Sequence, residues 1–384
     1  MSTETRNDWN PTAPDVLHDQ IAAYDTMRAR CPVAHSDYLW WSLFRHADVL
    51  RALEDPQSFS NAASNHLSIP NAMDPPEHTP YRDIIERYFT APRMTAFEPG
   101  CRAIADTLVG GLRRGETVEL MTAFAQPFAL RVQCAFMGWP ASLHEALGQW
   151  IEKNHRATRA GDRSAMARVA VEFDGHIKQQ LALRRDAGAQ ASDDVTSQLL
   201  QEHIHGRALS DEEIVSIVRN WTVGELGTIA ASVGILVHYL AVQPALQAEL
   251  RQRPEDLPAA IDEILRIHAP LIANRRVTTC PVEIGGRKLG AGERLTLLWA
   301  SANRDEDVFG DPDRYDPERN ASHNLLYGAG VHVCPGAPLA RLELRLIMQS
   351  LLAGTGEIAL VPGSSPQRAA FPASGFASLP VCIR

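Results

Sequence analysis

The chain has 384 residues, 45% hydrophobic and 22% charged, with a formal net charge of −9. That is the composition of a soluble globular protein of one large or two ordinary domains, and the acidic balance argues against a nucleic-acid surface, which needs a basic stripe. The six cysteines, at 31, 101, 134, 280, 334 and 382, form no C-x-x-C pair and no cluster, which excludes a disulfide framework, a cysteine-rich zinc site and an iron–sulfur cluster.

The opening stretch MSTETRNDWNPTAPDVLHD has no apolar core for a signal peptide or anchor, and its residues to about 14 are expected to be loose. Helical periodicity begins in DVLHDQIAAYDTMRAR. YLWWSLF reads as a strand, and HADVLRALED as a helix ended by Pro56. Helical patterns follow in TPYRDIIERYF, MTAFEPGCRAIADTLVGGL and AFAQPFALRVQCAFM, and continue from Ser142 to about Arg185. At SDEE, Ser210 and Glu213 have capping-box spacing, and a helix is predicted from there to about Val242. Roughly 32 residues at 1.5 Å each span about 48 Å. A helix so long, and apolar around much of its circumference, must cross the interior. Its longest apolar run, Ile229 to Val237, is too short to span a bilayer, so no membrane partner is expected and the protein is expected in the cytoplasm.

A helix over LPAAIDEILRIH comes next, then a strand-rich region from Asn274 to Trp299 and an irregular stretch to Asn324. The loop YGAGVHVCPG and a final helix, APLARLELRLIMQSLL stopped by Gly354, complete the pattern. No repeat and no linker-like boundary interrupts it. The expectation is one domain over residues 1–384, mainly α with small β-sheets.

The loop Tyr327 to Gly336 holds Cys334 among glycines with a proline directly behind it. A lone cysteine is usually a buried structural residue. Here Pro335, and a helix starting near Pro338, bring backbone N–H groups and a helix N-terminus beside the sulfur, which favours the thiolate. Gly328, Gly330 and Gly336 permit a tight turn and close approach to a flat macrocycle. A single thiolate with no second protein ligand suits haem iron, because the porphyrin supplies four ligands itself.

In this loop and along nearly its whole length the chain resembles the cytochrome P450 family. The family pattern F-G-x-G-x-H-x-C-x-G is matched by YGAGVHVCPG with Tyr327 as the only departure, and PLARLE, Pro338 to Glu343, matches the helix that follows. The resemblance implies the P450 fold, with haem b between the long helix and the cysteine loop, Cys334 as iron ligand and Gly328 against the cofactor. EILR supplies the family's E-x-x-R, Glu263 and Arg266, and YDPERN places Arg319 as the third member of a buried structural triad. By the same resemblance His78 and Arg82, spaced i, i+4 in HTPYR, hold a haem propionate, joined by His332 and by one of the adjacent arginines in NRRVTTCPVEI. Strand alternation lets only one of these face the haem; the family pattern favours Arg276, with Arg275 turned away.

The family's A-G-x-[DE]-T motif is altered. Counting back from Gln243–Pro244, Thr228 falls on the alcohol position, Gly227 on the acid position, and Glu225 three residues before the threonine. Either Glu225 relays protons in place of the missing acid, or it pairs elsewhere and ordered water carries them. Gly224 and Gly227 either open the groove for dioxygen or serve close helix packing. The resemblance places substrate against Leu67, Ile69, Val223, Leu271, Ile272, Phe371 and Phe376, a mostly apolar set implying a small-to-medium apolar or aromatic molecule. No flavin-binding region follows Cys334, so electrons are expected from a ferredoxin or flavodoxin with an NAD(P)H-dependent reductase. Arg87, Arg93, Arg341 and Arg345 either receive that partner or are solvated helix charges. The activity implied is haem-thiolate monooxygenation (hydroxylation, epoxidation or dealkylation); the alternatives are peroxide-driven oxidation and a haem-based gas-binding protein.

Overall fold

The computed structural model describes residues 7–63, 66–190 and 192–384. Its axis is the helix Asp211–Val242, 32 residues long, opened by the capping box that the sequence predicts. Glu213 N–H donates to Ser210 Oγ at 3.3 Å and Ser210 N–H to Glu213 Oε2 at 2.7 Å, so two N–H groups that the helix itself leaves unpaired are satisfied. The helix is apolar enough to cross a membrane, with a mean hydropathy of 1.6 over its richest window, but 61% of that window is buried against the rest of the protein. Its apolar surface is used for packing on the helices Gln126–Met137, Arg163–Ala187, Leu257–His268 and Ala337–Gly354.

A five-stranded sheet lies to one side, in the order Val33–Ser36, Trp40–Leu43, Arg294–Leu298, Ala273–Thr278, Phe59–Ser60. Only the pair joining Trp40–Leu43 to Arg294–Leu298 is parallel. Arg276 stands opposite Leu295, and Arg275 opposite Thr296. Their side chains therefore leave the sheet on opposite faces.

Three expectations change. Residues 7–13 are docked, not loose: Trp9 is buried edge-on to Phe44 at 5.2 Å, Asp8 N–H donates to His35 O and His35 N–H to Asp8 Oδ2, both at 2.9 Å, and Arg287 reaches Asp8 Oδ1. The first amphipathic segment breaks into Pro14–His18 and Gln20–Arg30, because Asp19 leaves helical geometry and its carboxylate caps the second helix at Ala22 N. The stretch from Ser142 likewise divides into His144–Arg159 and Arg163–Ala187, turning at Gly161, whose φ of +62° favours glycine.

The Glu263–Arg266 pair is fully buried, bidentate at 2.8 and 2.9 Å, with Arg266 also donating to Asn303 O at 2.7 Å and stacking 4.6 Å over Phe309. Its third member is not Arg319. That side chain is exposed and donates to Phe309 O at 2.9 Å, while the next residue, Asn320, is buried and donates to Glu263 Oε1 at 2.7 Å. Asp316 N–H reaches the same oxygen at 3.0 Å. A second guanidinium would meet a carboxylate whose charge Arg266 already balances; a neutral amide completes the bonding without adding buried charge.

Ser210→Ala should lower the unfolding free energy by about 1 kcal/mol. Asn320→Ala should cost about 1–3 kcal/mol by leaving a buried carboxylate oxygen short of a donor, and more than Arg319→Ala. Urea-unfolding midpoints check all three, and the reverse ranking of Asn320 and Arg319 would restore the arginine to the triad.

Candidate active site

The cysteine loop is set by backbone contacts. Cys334 N–H donates to Tyr327 O at 2.8 Å and Val333 N–H to Gly330 O at 3.1 Å. Gly330 has φ +67°, and a Cβ there would lie 2.3 Å from the carbonyl oxygen of Leu53, so only glycine fits. Gly328, at φ +76°, packs beside Trp299. The helix Ala337–Gly354 begins three residues after the cysteine, with Pro338 in its first turn. Burial pushes the Cys334 thiol pKa up, while the N–H dipoles of Gly336 and Ala337 and the charge of Arg82 pull it back. The residue nevertheless keeps accessible surface, so one side of the sulfur stays open.

Around that loop four basic side chains converge. His78 and Arg82 occupy one face of the helix His78–Glu86, both buried, and Arg82 Nε is taken by Glu86 at 2.7 Å. The rings of His78 and His332 meet edge-on with centroids 4.4 Å apart. Arg276, only 4% exposed, comes from the sheet; its Nη1 donates to the carbonyl of its neighbour Arg275 at 2.7 Å. Burial pulls the Arg276 pKa down to about 10, opposed by Asp74, and pulls that of His332 down to about 4, helped by the charges of His78 and Arg276. Arg275 turns outward and lies 4.9 Å over the Trp40 ring.

The hydrogen bonding of this cluster is incomplete in a specific way. The Nε2 atoms of His78 and His332 are both buried with no partner. An unsatisfied buried polar group costs about 1–3 kcal/mol, and two of them beside two buried arginines form a site completed by an anion. Haem carboxylates have that chemistry, and the open thiol lies in the same loop as His332. The residues present therefore fit a haem.

On the long helix, Thr228 Oγ1 donates to Gly224 O at 2.6 Å. A Cβ on Gly224 or Gly227 would meet nothing within 4 Å among the described residues, which rules out close helix packing as the reason for either glycine. The Thr228 hydroxyl also reaches the backbone carbonyl of Glu225 at 3.4 Å, but not its carboxyl. That carboxyl is buried against Glu343 of the helix Ala337–Gly354, and burial raises both pKa values, most strongly that of Glu343. Among the described residues no cation bonds either carboxyl, so burial of the two together favours their protonated forms. The sequence reading missed Glu343 as a partner, although a glutamate one turn from Leu339 and Leu346 on an apolar helix face was a visible signal.

The substrate candidates separate into two groups. Leu67, Val223 and Leu271 are 51%, 49% and 38% exposed, whereas Ile69, Ile272 and Phe376 are core residues. Phe371 is half-buried against Tyr38. The four arginines considered for a partner surface have local partners: Arg87 pairs with Glu202, Arg341 with Asp262 and Arg345 with Glu98, while Arg93 lies over Tyr88.

The Cytochrome P450 family model matches residues 255–354, which run from Glu263 through the cysteine loop into the final helix. Among curated proteins, the erythromycin C-12 hydroxylase of Saccharopolyspora erythraea is 32% identical over 360 residues, 89% of each chain. The cyclomarin C epoxidase CymV of Salinispora arenicola is 32% identical over 344 residues, 85% of this chain and 86% of its own. Among solved structures, a mutant of P450 EryK in complex with erythromycin B superposes with a TM-score of 0.87 at 30% identity, covering 96% of this chain and 97% of that one. CYP109E1 of Bacillus megaterium in complex with corticosterone gives 0.85 at 25% identity, covering 96% and 99%. Identity sustained over nearly the whole chain, joined to a thiol loop and a set of basic donors whose chemistry fits a haem, shows that this chain belongs to the cytochrome P450 family and is a haem b-dependent monooxygenase acting on a small molecule.

Proposed function

We propose that residues 1–384 form a single catalytic domain in which Cys334 ligates the haem iron and His78, Arg82, Arg276 and His332 hold the propionates, with Gly328 lying against the ring. The observation that carries this reading is the pair of buried, partnerless Nε2 atoms next to Arg276. Bound haem supplies dioxygen activation, which a thiolate ligand favours by pushing electron density toward the O–O bond. The protein's part is positional and electrostatic. The N–H dipoles behind the loop oppose the burial that raises the thiol pKa, the four basic groups fix the cofactor's orientation, and Trp299 and Gly328 pack the loop.

On the opposite side, Thr228 is the alcohol that orders protons for the reaction, and its own proton is already given to Gly224 O, leaving its lone pairs to accept. Glu225, sharing a proton with Glu343, is the internal acid that refills that side. Leu67, Val223 and Leu271 present accessible apolar surface to the substrate, with Phe371 at the margin and Ile69, Ile272 and Phe376 supporting them from the core. This favours a small-to-medium apolar or aromatic substrate, and the named relatives, a hydroxylase and an epoxidase, mark out the outcomes. The electron donor is a ferredoxin or flavodoxin with its NAD(P)H-dependent reductase, and the protein works in the cytoplasm. Peroxide-driven oxidation is the second reading, favoured by the lack of any carboxylate bonded to the Thr228 hydroxyl. Activity with hydrogen peroxide alone, and none with redox proteins, would select it.

The reduced, carbon monoxide-bound protein should show the strongly red-shifted Soret band of a thiolate-ligated haem, and Cys334→Ala should lose it. Arg276→Leu should retain less haem than the wild type after gel filtration. With redox partners and substrate, Thr228→Ala should divert electrons to peroxide; unchanged coupling would remove Thr228 from proton delivery. The Glu225–Glu343 pair gives a pH signature. Above the unfolded carboxylate pKa, about 4.3, the folded protein still binds a proton that the unfolded chain has released, so stability falls as pH rises toward the raised folded values. Glu343→Gln should flatten that slope and raise the urea midpoint at pH 8 relative to the wild type.

A further inference from the structure

Leu67, Ser68 and Ile69 are held to the long helix by polar bonds as well as by the buried Ile69 side chain. Ser216 is completely buried; its Oγ donates to Leu67 O at 3.0 Å and accepts from Ile69 N–H at 2.9 Å. Asn220 Nδ2 donates to Ile69 O at 2.9 Å while its Oδ1 accepts from Ser68 Oγ at 3.1 Å. Arg219 Nη2 donates to Leu67 O at 2.8 Å. The other guanidinium nitrogen, Nη1, is bound by both oxygens of Asp174, at 2.7 and 2.8 Å, on the helix Arg163–Ala187. Arg219 is thus one side chain joining all three elements; the long helix and the helix Arg163–Ala187 also meet through the ion pair of Arg185 with Asp211, at the first residue of the long helix, but that pair does not reach the Leu67 loop.

Ser216, Asn220, Val223 and Gly227 recur along one face of the long helix at spacings of three and four residues. The bonded loop therefore sits on the face that leads to Val223 and the glycine-loosened turn at Thr228. We propose that Arg219 is a positioning residue that sets which molecules reach the haem: it clasps the Leu67 loop and the helix Arg163–Ala187 together over the substrate side, holding Leu67 in place as an apolar wall. The inference rests on the reading of Leu67 and Val223 as substrate contacts. The occupant it favours is a compact apolar molecule that fits beneath a closed clasp, and bulky ligands enter only as the clasp breaks. Geometry supports a breakable device. Both partners of the ion pair are partly exposed, at 24% and 28%, so water can compete for each charge as the helix lifts, whereas Ser216 and Asn220 continue to hold the loop from below.

The test uses the haem-loaded protein and two iron ligands of different bulk, imidazole and 4-phenylimidazole, followed by stopped-flow at the Soret band. Arg219→Gln should raise the association rate of 4-phenylimidazole several-fold and leave that of imidazole within twofold. Hydrogen–deuterium exchange should speed up in peptides from residues 66–73 and 163–187 together, with the helix Ala337–Gly354 unchanged. Asp174→Asn should reproduce the change in residues 163–187 and the faster entry of the bulky ligand. Ser216→Ala, which removes the acceptor of the Ile69 amide, should speed exchange in the loop alone. A lower unfolding midpoint with unchanged ligand entry and unchanged exchange in either segment would make Arg219 a plain structural brace and overturn the proposal. The carbon monoxide band reports on the haem–thiolate site independently, so loss of the clasp and failure of the P450 reading are told apart.

Discussion

The structure depends on one electrostatic imbalance. Two imidazoles and two arginines are drawn in beside the cysteine loop, opposed by Glu86, which bonds Arg82, and by the charges of Asp74 and Asp83. Burying donors without acceptors is unfavourable, and the chain accepts it at the convergence of three separate elements: the helix His78–Glu86, the strand Ala273–Thr278 and the turn before Cys334. In the proposed placement of haem, its carboxylates resolve the imbalance for all of them at once. Folding and cofactor retention are therefore coupled, because any ligand that binds only the folded state stabilises it by mass action.

The two faces of the site follow opposite rules for burying charge. On the sulfur side, Arg276 is buried with no carboxylate bonded to it, while Arg82 is met by Glu86. Behind the long helix, two carboxyls are buried without a cation, and burial raises their pKa values so that protonation lessens the buried charge. The Glu263–Arg266 pair shows a third solution, in which opposite charges cancel and a neutral amide, Asn320, finishes the hydrogen bonding. In each case desolvation is the dominant cost, and the local answer depends on what else is within reach.

The sequence made the long helix legible because a capping box and its apolar stretch are local signals. Cys334, His78, Arg82, Arg276 and His332 were legible through motif spacing, which reports where an element puts a side chain. Arg319 was misread because adjacent residues in a short helix point in different directions, and spacing alone does not say which of Arg319 and Asn320 enters the core. Glu225 was left open between two roles, since its partner lies 118 positions away on another helix and only packing brings them together. The substrate candidates divided for a similar reason. Apolarity marks Leu67 and Ile69 alike, and only their burial in the folded chain, where Ser216 and Asn220 fix the backbone between them, shows that one faces outward from the core and the other into it.

The docking of Asp8 and Trp9 has a practical consequence for anyone handling the protein. Asp8 bonds the backbone of His35 and the guanidinium of Arg287, and Trp9 fills a space between Tyr24 and Phe44. A shortened start trimmed past these residues would strip the outer strand of its backbone cover and open the aromatic cluster beneath it. Expression designs should keep residues 7–13 intact and place any purification tag ahead of them, with a spacer long enough that Asp8 can still reach the sheet.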